Sequence, residues 1–255
     1  MNCLFLFDVD GTIAESGQKM DTNISLLINK LQDAGNEIGI VGGGKIEKIL
    51  EQIDNKCVFD HYFAECGCVY FKSTNKSTNN LTEVYKKNIR AHSTYDKINI
   101  LVKLALKFLS EVDYTITGNF IDLRNGIIYI SLIGLVATQE ERAVYMDLDK
   151  KFQYRKQLLH LLHEKAFELN IHNCVDIVEG GSVGIALYPR EYDKIQVLSC
   201  FPEEIYQNIY YFGDKYEING NDYKIISNER VFGMRVDSLK NTVELLEKIS
   251  TVIHL

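Results

Sequence analysis

Two aspartates one residue apart, Asp8 and Asp10, stand directly behind the apolar run 4–7 and directly before Gly11-Thr12. Carboxylates with that spacing can divide labour at the end of a buried strand: one faces a reacting atom as nucleophile while the other exchanges a proton. Delivering an anionic phosphate to two carboxylates requires a divalent cation, and hard oxygen ligands of this kind suit Mg2+. A second glycine–aspartate pair, Gly213-Asp214, follows the apolar run 208–212, and Gly42-Gly43-Gly44 closes the run 37–41. Three chain segments therefore present turn or acidic residues just past an apolar strand, where ligands bind in open α/β sheets.

The elements around these residues predict how they are carried. Residues 2–7 read as a buried strand. Asp21-Thr22-Asn23 offers a helix N-cap, Ile24, Leu27, Ile28 and Leu31 follow at helical spacing, and Gly35 stops the helix. A strand at 37–41, a helix through Ile46, Ile49, Leu50 and Ile53, and a strand at 62–64 complete the alternation of a parallel α/β sheet. The polar stretch 73–80 breaks that pattern. Beyond it come a helix at 98–109 and a hairpin of 120–124 with 127–131 around Asn125-Gly126. A capping box at Thr138-Gln139-Glu140-Glu141, a helix at 156–169 and a second hairpin of 174–178 with 183–187 follow. After Pro189 the α/β pattern returns, with a helical segment at 195–198, the strand 208–212 and an amphipathic helix through Leu239, Val243, Leu246 and Ile249. The expected fold class is α/β, a Rossmann-like parallel-sheet core formed by 1–83 and 188–255 and interrupted by an α+β cap domain at 84–187.

Composition narrows the function. The 255 residues carry 35 acidic against 28 basic side chains, net −7, which disfavours a nucleic-acid partner. No apolar run approaches the length that spans a bilayer, and an acidic loop at residues 8–10 excludes a secretory leader. The six cysteines lack paired metal-binding spacing and read as reduced, mostly buried thiols of a cytoplasmic protein.

The string Leu4-Phe-Leu-Phe-Asp-Val-Asp-Gly-Thr12 resembles the first motif of the haloacid dehalogenase superfamily of phosphotransferases. Further pieces resemble one branch, the eukaryotic-type phosphomannomutases: Val41-Gly42-Gly43, Phe120-Ile-Asp-Leu-Arg-Asn-Gly126, Gln139-Glu-Glu-Arg142, Glu179-Gly-Gly181, Tyr192-Asp-Lys194, Phe212-Gly-Asp-Lys215 and Gly220-Asn-Asp222. They occur in family order over almost the whole chain. The resemblance implies that Asp8 is a nucleophile forming an aspartyl phosphate. It makes Asp10 the general acid/base, with its main-chain carbonyl on Mg2+, and lets Asp214 complete the metal site. Lys194 would hold Asp8 and the transferring group. Gly42, Gly43 and Gly44 would let amides approach phosphate, and Asn221 and Asp222 would brace the metal loop. The inserted domain would be a mobile cap whose Arg124 and Arg142 grip the phosphate that is not transferred. A homodimer through the caps is compatible with the pattern.

The chain departs from the family pattern at ligand positions. Gly17 and Leu135 stand where the family has arginines, Leu132 replaces a proline, Gly44 a serine, and Gly184 and Ala186 the serine and aspartate at the sugar end. Asn228 and Val231 occupy a further cation position. Lys45, Arg90 and His92 are candidate substitutes. The expected function is interconversion of mannose 6-phosphate and mannose 1-phosphate, with a hexose 1,6-bisphosphate as activator or intermediate and with weakened substrate binding. The alternatives are a Mg2+-dependent phosphatase of another small phosphorylated substrate, or a non-catalytic paralogue, which retention of Asp8, Asp10, Lys194 and Asp214 disfavours.

Overall fold

The computed structural model describes residues 3–74, 80–218 and 220–252. The chain divides into two compact units, Met1–Lys86 with Asp193–Leu255, and Lys87–Tyr192.

The first unit is built on a seven-stranded sheet. Its strands are β1 (Leu4–Phe7), β2 (Glu37–Val41), β3 (His61–Ala64), β4 (Val69–Ser73) and β5 (Leu81–Lys86) from the first segment, and two from the last. In the numbering of the whole chain those two are β10 (Ile209–Gly213) and β11 (Val231–Arg235), and the order across the sheet is β11-β10-β1-β2-β3-β4-β5. All four residues of β1 are buried, as expected for a central parallel strand covered on both faces. β1 pairs in parallel with both β10 and β2, and Phe7 lies opposite Phe212. That register brings the carboxyl ends of β1 and β10 side by side, which positions everything described below. Helix α1 (Thr22–Asp33) is capped by the Asp21 carboxylate, and α2 (Ile46–Ile53) occupies the predicted residues.

The hairpin β4–β5 and the parallel strand β11 were not anticipated. β5 and β11 are edge strands with much exposed surface, so neither carries a buried apolar run. The polar stretch 73–80 is the connection of that hairpin, and residues 75–79 lie outside the described ones. Because β5 belongs to the core sheet, the first boundary falls after Lys86 and not after residue 83. The second falls after Tyr192 and not after residue 187, since β9 (Gly184–Pro189) belongs to the inserted sheet and the Tyr192 ring packs edge-on against His92.

The inserted unit holds a four-stranded antiparallel sheet of β6 (Ile121–Leu123), β7 (Ile128–Ser131), β8 (Val175–Gly180) and β9, in the order β6-β7-β9-β8. The two-residue Asn125-Gly126 connection is closed by the Arg124 amide on the Ile127 carbonyl at 2.9 Å. Ile128, Ile130, Ile177, Ile185 and Leu187 bury one sheet face against helices α3 (Tyr95–Leu109) and α5 (Tyr154–Glu168). Between these helices in sequence, α4 (Gln139–Phe152) begins with the predicted capping box of Thr138 and Glu141. No helix among the described residues is long and apolar enough to cross a membrane, and all six cysteines are free.

At the start of β3, buried His61 hydrogen-bonds Tyr70 through Nδ1 and Glu37 through Nε2, both at 2.8 Å. One acceptor and one donor satisfy a neutral ring. Burial holds the imidazole below its ordinary value of 6.5 despite Glu37. The unfolded chain therefore takes up this proton before the folded one does. The associated stability is complete above pH 6.5 and is lost as pH falls through the lowered folded value. Urea unfolding between pH 8 and 5 should show this decline, and His61→Gln should flatten it. An unchanged slope in that variant would assign the decline to other groups.

Candidate active site

The site is assembled at the carboxyl ends of β1 and β10. The Asp8 amide donates to the Phe212 carbonyl at 2.9 Å, which carries the β1–β10 ladder one residue past the strand and fixes the Asp8 backbone. Its carboxylate accepts from the Lys194 ammonium at 2.5 Å. Lys194 opens a 3-10 helical segment, Lys194–Cys200, and is fully buried. The same ammonium donates to Asp222 at 2.7 Å. Asp222 also accepts from the Tyr211 hydroxyl at 2.5 Å and from the Lys215 amide at 3.0 Å. It thus ties β10, the following loop and Lys194 together.

Charge and burial compete here. Burial pushes the Asp8 carboxyl up, to about 7, against the pull of Lys194 and with the repulsion of Asp222. Burial alone would lower the Lys194 ammonium, but Asp222 and Asp8 outweigh it and hold it above its ordinary value. The lysine is a fixed cation, and Asp8 is a carboxylate that a further cation would keep ionised.

Asp8, Asp214 and Asp222 each bring a carboxylate oxygen within 4.8 Å of the others. Since Asp222 is already held by three donors, Asp8 and Asp214 are the pair that faces a cation. One oxygen of Asp214 contacts the Lys215 ammonium, and the other, Oδ1, is buried without a hydrogen-bond partner. Asn221 Oδ1 is likewise buried and unpartnered. Orphaned buried acceptors are rare in native proteins, and a hard divalent ion satisfies such groups. Gly11, at φ +84°, makes room for them: a Cβ there would lie 2.5 Å from Asp214 Oδ2. The residues present fit Mg2+.

The Asp10 carboxylate is outside this trio. Gln52 Nε2 donates to it at 2.8 Å, the Gly17 amide at 3.0 Å and Lys48 Nζ at 3.1 Å. Partial burial would raise its pKa, but these three donors hold the carboxyl below its usual value. Only its main-chain carbonyl was assigned to the metal, and the side chain is turned to α2. Gly17, at φ +73°, contributes an amide where the family pattern has an arginine.

Gly42 departs from its expected role. Its amide is taken by the Phe63 carbonyl at 2.9 Å, continuing the β2–β3 ladder, and so is not offered to a phosphate. Its lack of a side chain serves packing, since a Cβ would meet Ile49 at 2.9 Å and Val9 at 3.1 Å. The Gly42 and Gly44 carbonyls accept from the Cys66 and Glu65 amides, both at 2.9 Å, and both of these residues are left-handed. A Cβ at Gly43 would lie 3.8 Å from the Cys66 thiol, an ordinary contact.

In the inserted unit, Arg124 pairs with Asp122 at 2.7 Å. Arg142 donates to the Leu135 and Ala137 carbonyls at 3.0 and 3.1 Å, organising the loop before α4. His92 is committed to Thr94 and to Glu191 at 2.6 Å, joining the two ends of this unit. Asn228 accepts from the Arg230 amide and so shapes a turn. Three residues that organise the site were not foreseen: Gln52, Lys48 and Tyr211. Gln52 left a signal, a polar residue beside the apolar face of Ile49 and Ile53; the others left none.

A sequence profile of the eukaryotic phosphomannomutases matches residues 25–252. The chain belongs to this family. The phosphomannomutase of Encephalitozoon cuniculi is 32% identical over 96% of this chain and 94% of its own. Phosphomannomutase 1 of Homo sapiens is 31% identical over 96% and 91%. Among solved structures, an IMP-bound Plasmodium falciparum IMP-nucleotidase superposes with a TM-score of 0.64 at 16% identity, covering 99% of this chain and 68% of that one. The trehalose-6-phosphate phosphatase C-terminal domain of C. albicans gives 0.60 at 14% identity, with 98% and 93% covered. These two likenesses establish a shared fold, a Rossmann-like core with an inserted cap.

If Asp8 and Asp214 hold Mg2+, this phosphomannomutase-family chain should be stabilised by it, and its melting temperature should rise with Mg2+ concentration. Gly11→Ala, which drives a methyl group into Asp214, should abolish most of that rise. An equal Mg2+-dependent shift in both proteins would remove Asp214 from the metal site.

Proposed function

We propose that this chain is a phosphosugar mutase that interconverts mannose 6-phosphate and mannose 1-phosphate through Asp8. The observation that carries the reading is the Asp8 carboxylate, held at 2.5 Å by a buried ammonium and grouped with the orphaned oxygen of Asp214. An Asp8 oxygen forms a bond to phosphorus while the sugar–oxygen bond to phosphorus breaks, and Asp10 gives the departing oxygen its proton. In the opposite half-reaction Asp10 takes a proton from a free sugar hydroxyl, which attacks phosphorus and releases Asp8. Turnover runs that half first: a hexose monophosphate takes the phosphoryl group from phosphorylated Asp8 to give the hexose 1,6-bisphosphate, which turns and gives up the group at its other end to Asp8. Mg2+, when bound, supplies positive charge to the phosphoryl oxygens. Lys194 neutralises Asp8 in every state, and Arg124 and Arg142 take the phosphate that is not transferred, a task suited to a planar fork of donors.

A second reading, net hydrolysis, is favoured by one observation. Leu135, Gly184 and Ala186 offer no polar side chain to a sugar phosphate. A bisphosphate that escapes exposes phosphorylated Asp8 to water, so hydrolysis should match or exceed mutase turnover.

Asp8→Asn should lower both activities at least about a thousandfold with the fold intact, because an amide is a poor nucleophile at phosphorus. Asp10→Asn should slow the proton-transfer steps of both half-reactions while some phosphorylated Asp8 still forms, read in a rapid quench. Phosphoryl transfer that survives Asp8→Asn in a clean preparation would end the mutase reading. Assayed side by side, phosphate release and mannose 1-phosphate turnover should also shift toward mutase in the double variant Leu135→Arg with Ala186→Asp. A wild type that interconverts mannose phosphates with a low KM and little hydrolysis would refute the second reading.

A further inference from the structure

The chain leaves the core unit between Lys86 and Lys87 and returns to it between Tyr192 and Asp193. Lys194, which holds the Asp8 carboxylate, is therefore the second core residue after the return. Within the inserted unit Tyr192 is held firmly. Its amide donates to the Pro189 carbonyl at 2.8 Å, the Lys87 ammonium lies 4.3 Å from the centre of its ring, and the His92 ring meets it edge-on. Cation and ring clasp the outgoing and returning segments to each other, and the His92–Glu191 hydrogen bond adds a second tie.

Across the next peptide bond the partners change. Asp193 is buried, and one of its carboxylate oxygens pairs with Lys224 Nζ at 2.7 Å while the other accepts from the Ile195 amide at 3.3 Å. Its carbonyl accepts from the Gln196 amide at 3.0 Å, which starts the 3-10 segment. Lys224 belongs to the short helix α6 (Tyr223–Ile226), which follows Asp222 directly. Two consecutive residues thus reach one stretch of chain with opposite polarity: Asp193 takes Lys224, and Lys194 takes Asp222. Each of the four charges has its opposite as a direct partner, the condition under which buried charges are tolerated. The reaction scheme uses the second pair and leaves the first without a task.

We propose that Asp193 is a positioning residue for Lys194. With Lys224 it anchors the backbone of the 3-10 segment to α6, so that the place of the Lys194 ammonium is set inside the core unit and a disturbance at Tyr192 stops one residue short of it. This rests on the reading of Asp8 as the nucleophile that Lys194 neutralises, and not on the identity of the sugar. The physical reason is that a lysine stem is four flexible carbons long, so its charged end is only as well placed as its backbone. A misplacement of about 1 Å at a reacting centre is enough to cost about a hundredfold in rate.

The Lys194 ammonium is itself the probe. Among the described residues it belongs to the only buried lysine, and a buried, hydrogen-bonded ammonium exchanges its protons slowly enough to give a proton–nitrogen NMR signal, assigned through the side-chain carbons. In the full-length chain, Lys224→Met should speed that exchange about tenfold, and Lys224→Arg, which keeps the ion pair, should stay within about twofold of wild type. Asp193→Asn, which keeps an acceptor for the Ile195 amide, should match Lys224→Met and carries the comparison if that variant fails to fold. Lys87→Met, which loosens Tyr192, should change the exchange less than about twofold alone and more than about fivefold on top of Lys224→Met, because the anchor is what stops the disturbance. A merely stabilising ion pair would move the melting temperature of Lys224→Met and leave the exchange unchanged, and that result overturns the proposal. So do an ammonium signal absent from the wild type, an equal effect of Lys224→Met and Lys224→Arg, and an effect of Lys87→Met that is the same in both backgrounds. Turnover of the wild type, measured separately, tests the mutase reading, and these exchange rates stand whichever way that assay falls.

Discussion

A fully buried ammonium between two carboxylates is the constraint on which the core unit depends. Lys194 reaches Asp8 at 2.5 Å and Asp222 at 2.7 Å, and neither it nor Asp222 is exposed. Such a group is tolerated only when its charges are paired and its hydrogen bonds made, and removing one partner costs about 3–5 kcal/mol because the remainder is left uncompensated. The triad links residues 8, 194 and 222, so it also closes a core whose two segments are separated by the inserted unit. The Asp8 carboxylate is thereby held by residues from both segments of the discontinuous core. Tyr211 extends the arrangement, donating to Asp222 from within β10.

The two aspartates of the first motif are held by opposite means. Asp8 sits in the buried charge cluster, its backbone extending the β1–β10 ladder. Asp10 is partly exposed and tethered through side-chain and amide donors on α2 and the loop at Gly17. Under the proposed reaction the difference has a use: a nucleophile gains from being fixed, while a proton donor must be released toward the departing oxygen. Three hydrogen bonds, two of them from flexible side chains, hold Asp10 without burying it.

On the inserted sheet one missing polar group is tied to Tyr129. A Cβ at Gly184 would fall 2.4 Å from the Tyr129 phenol carbon and hydroxyl, so the seated ring needs that position empty. Arg155 and Asp149 support the turn at Gly181 from the helices, and Arg124 shares the ring face.

What the sequence by itself determined was whatever depends on neighbours along the chain. The apolar run of β1 and the acidic turn behind it were legible, as were the Asp21 cap, the Thr138–Glu141 box and the Asn125-Gly126 hairpin, because capping, turn chemistry and burial periodicity are local. The convergence of Asp8, Lys194 and Asp214 was legible only through resemblance, since nothing local says which strand ends are adjacent. Edge strands β5 and β11 escaped because half-exposed residues carry no periodic signal. Tertiary structure alone decided three further matters: that the Gly42 amide serves the sheet, that Gln52 and Lys48 tether Asp10, and that Tyr129 fills the space above Gly184. Each depends on a contact between residues distant in sequence, set by sheet register and side-chain volume, and a one-residue slip in any of those strands would undo it.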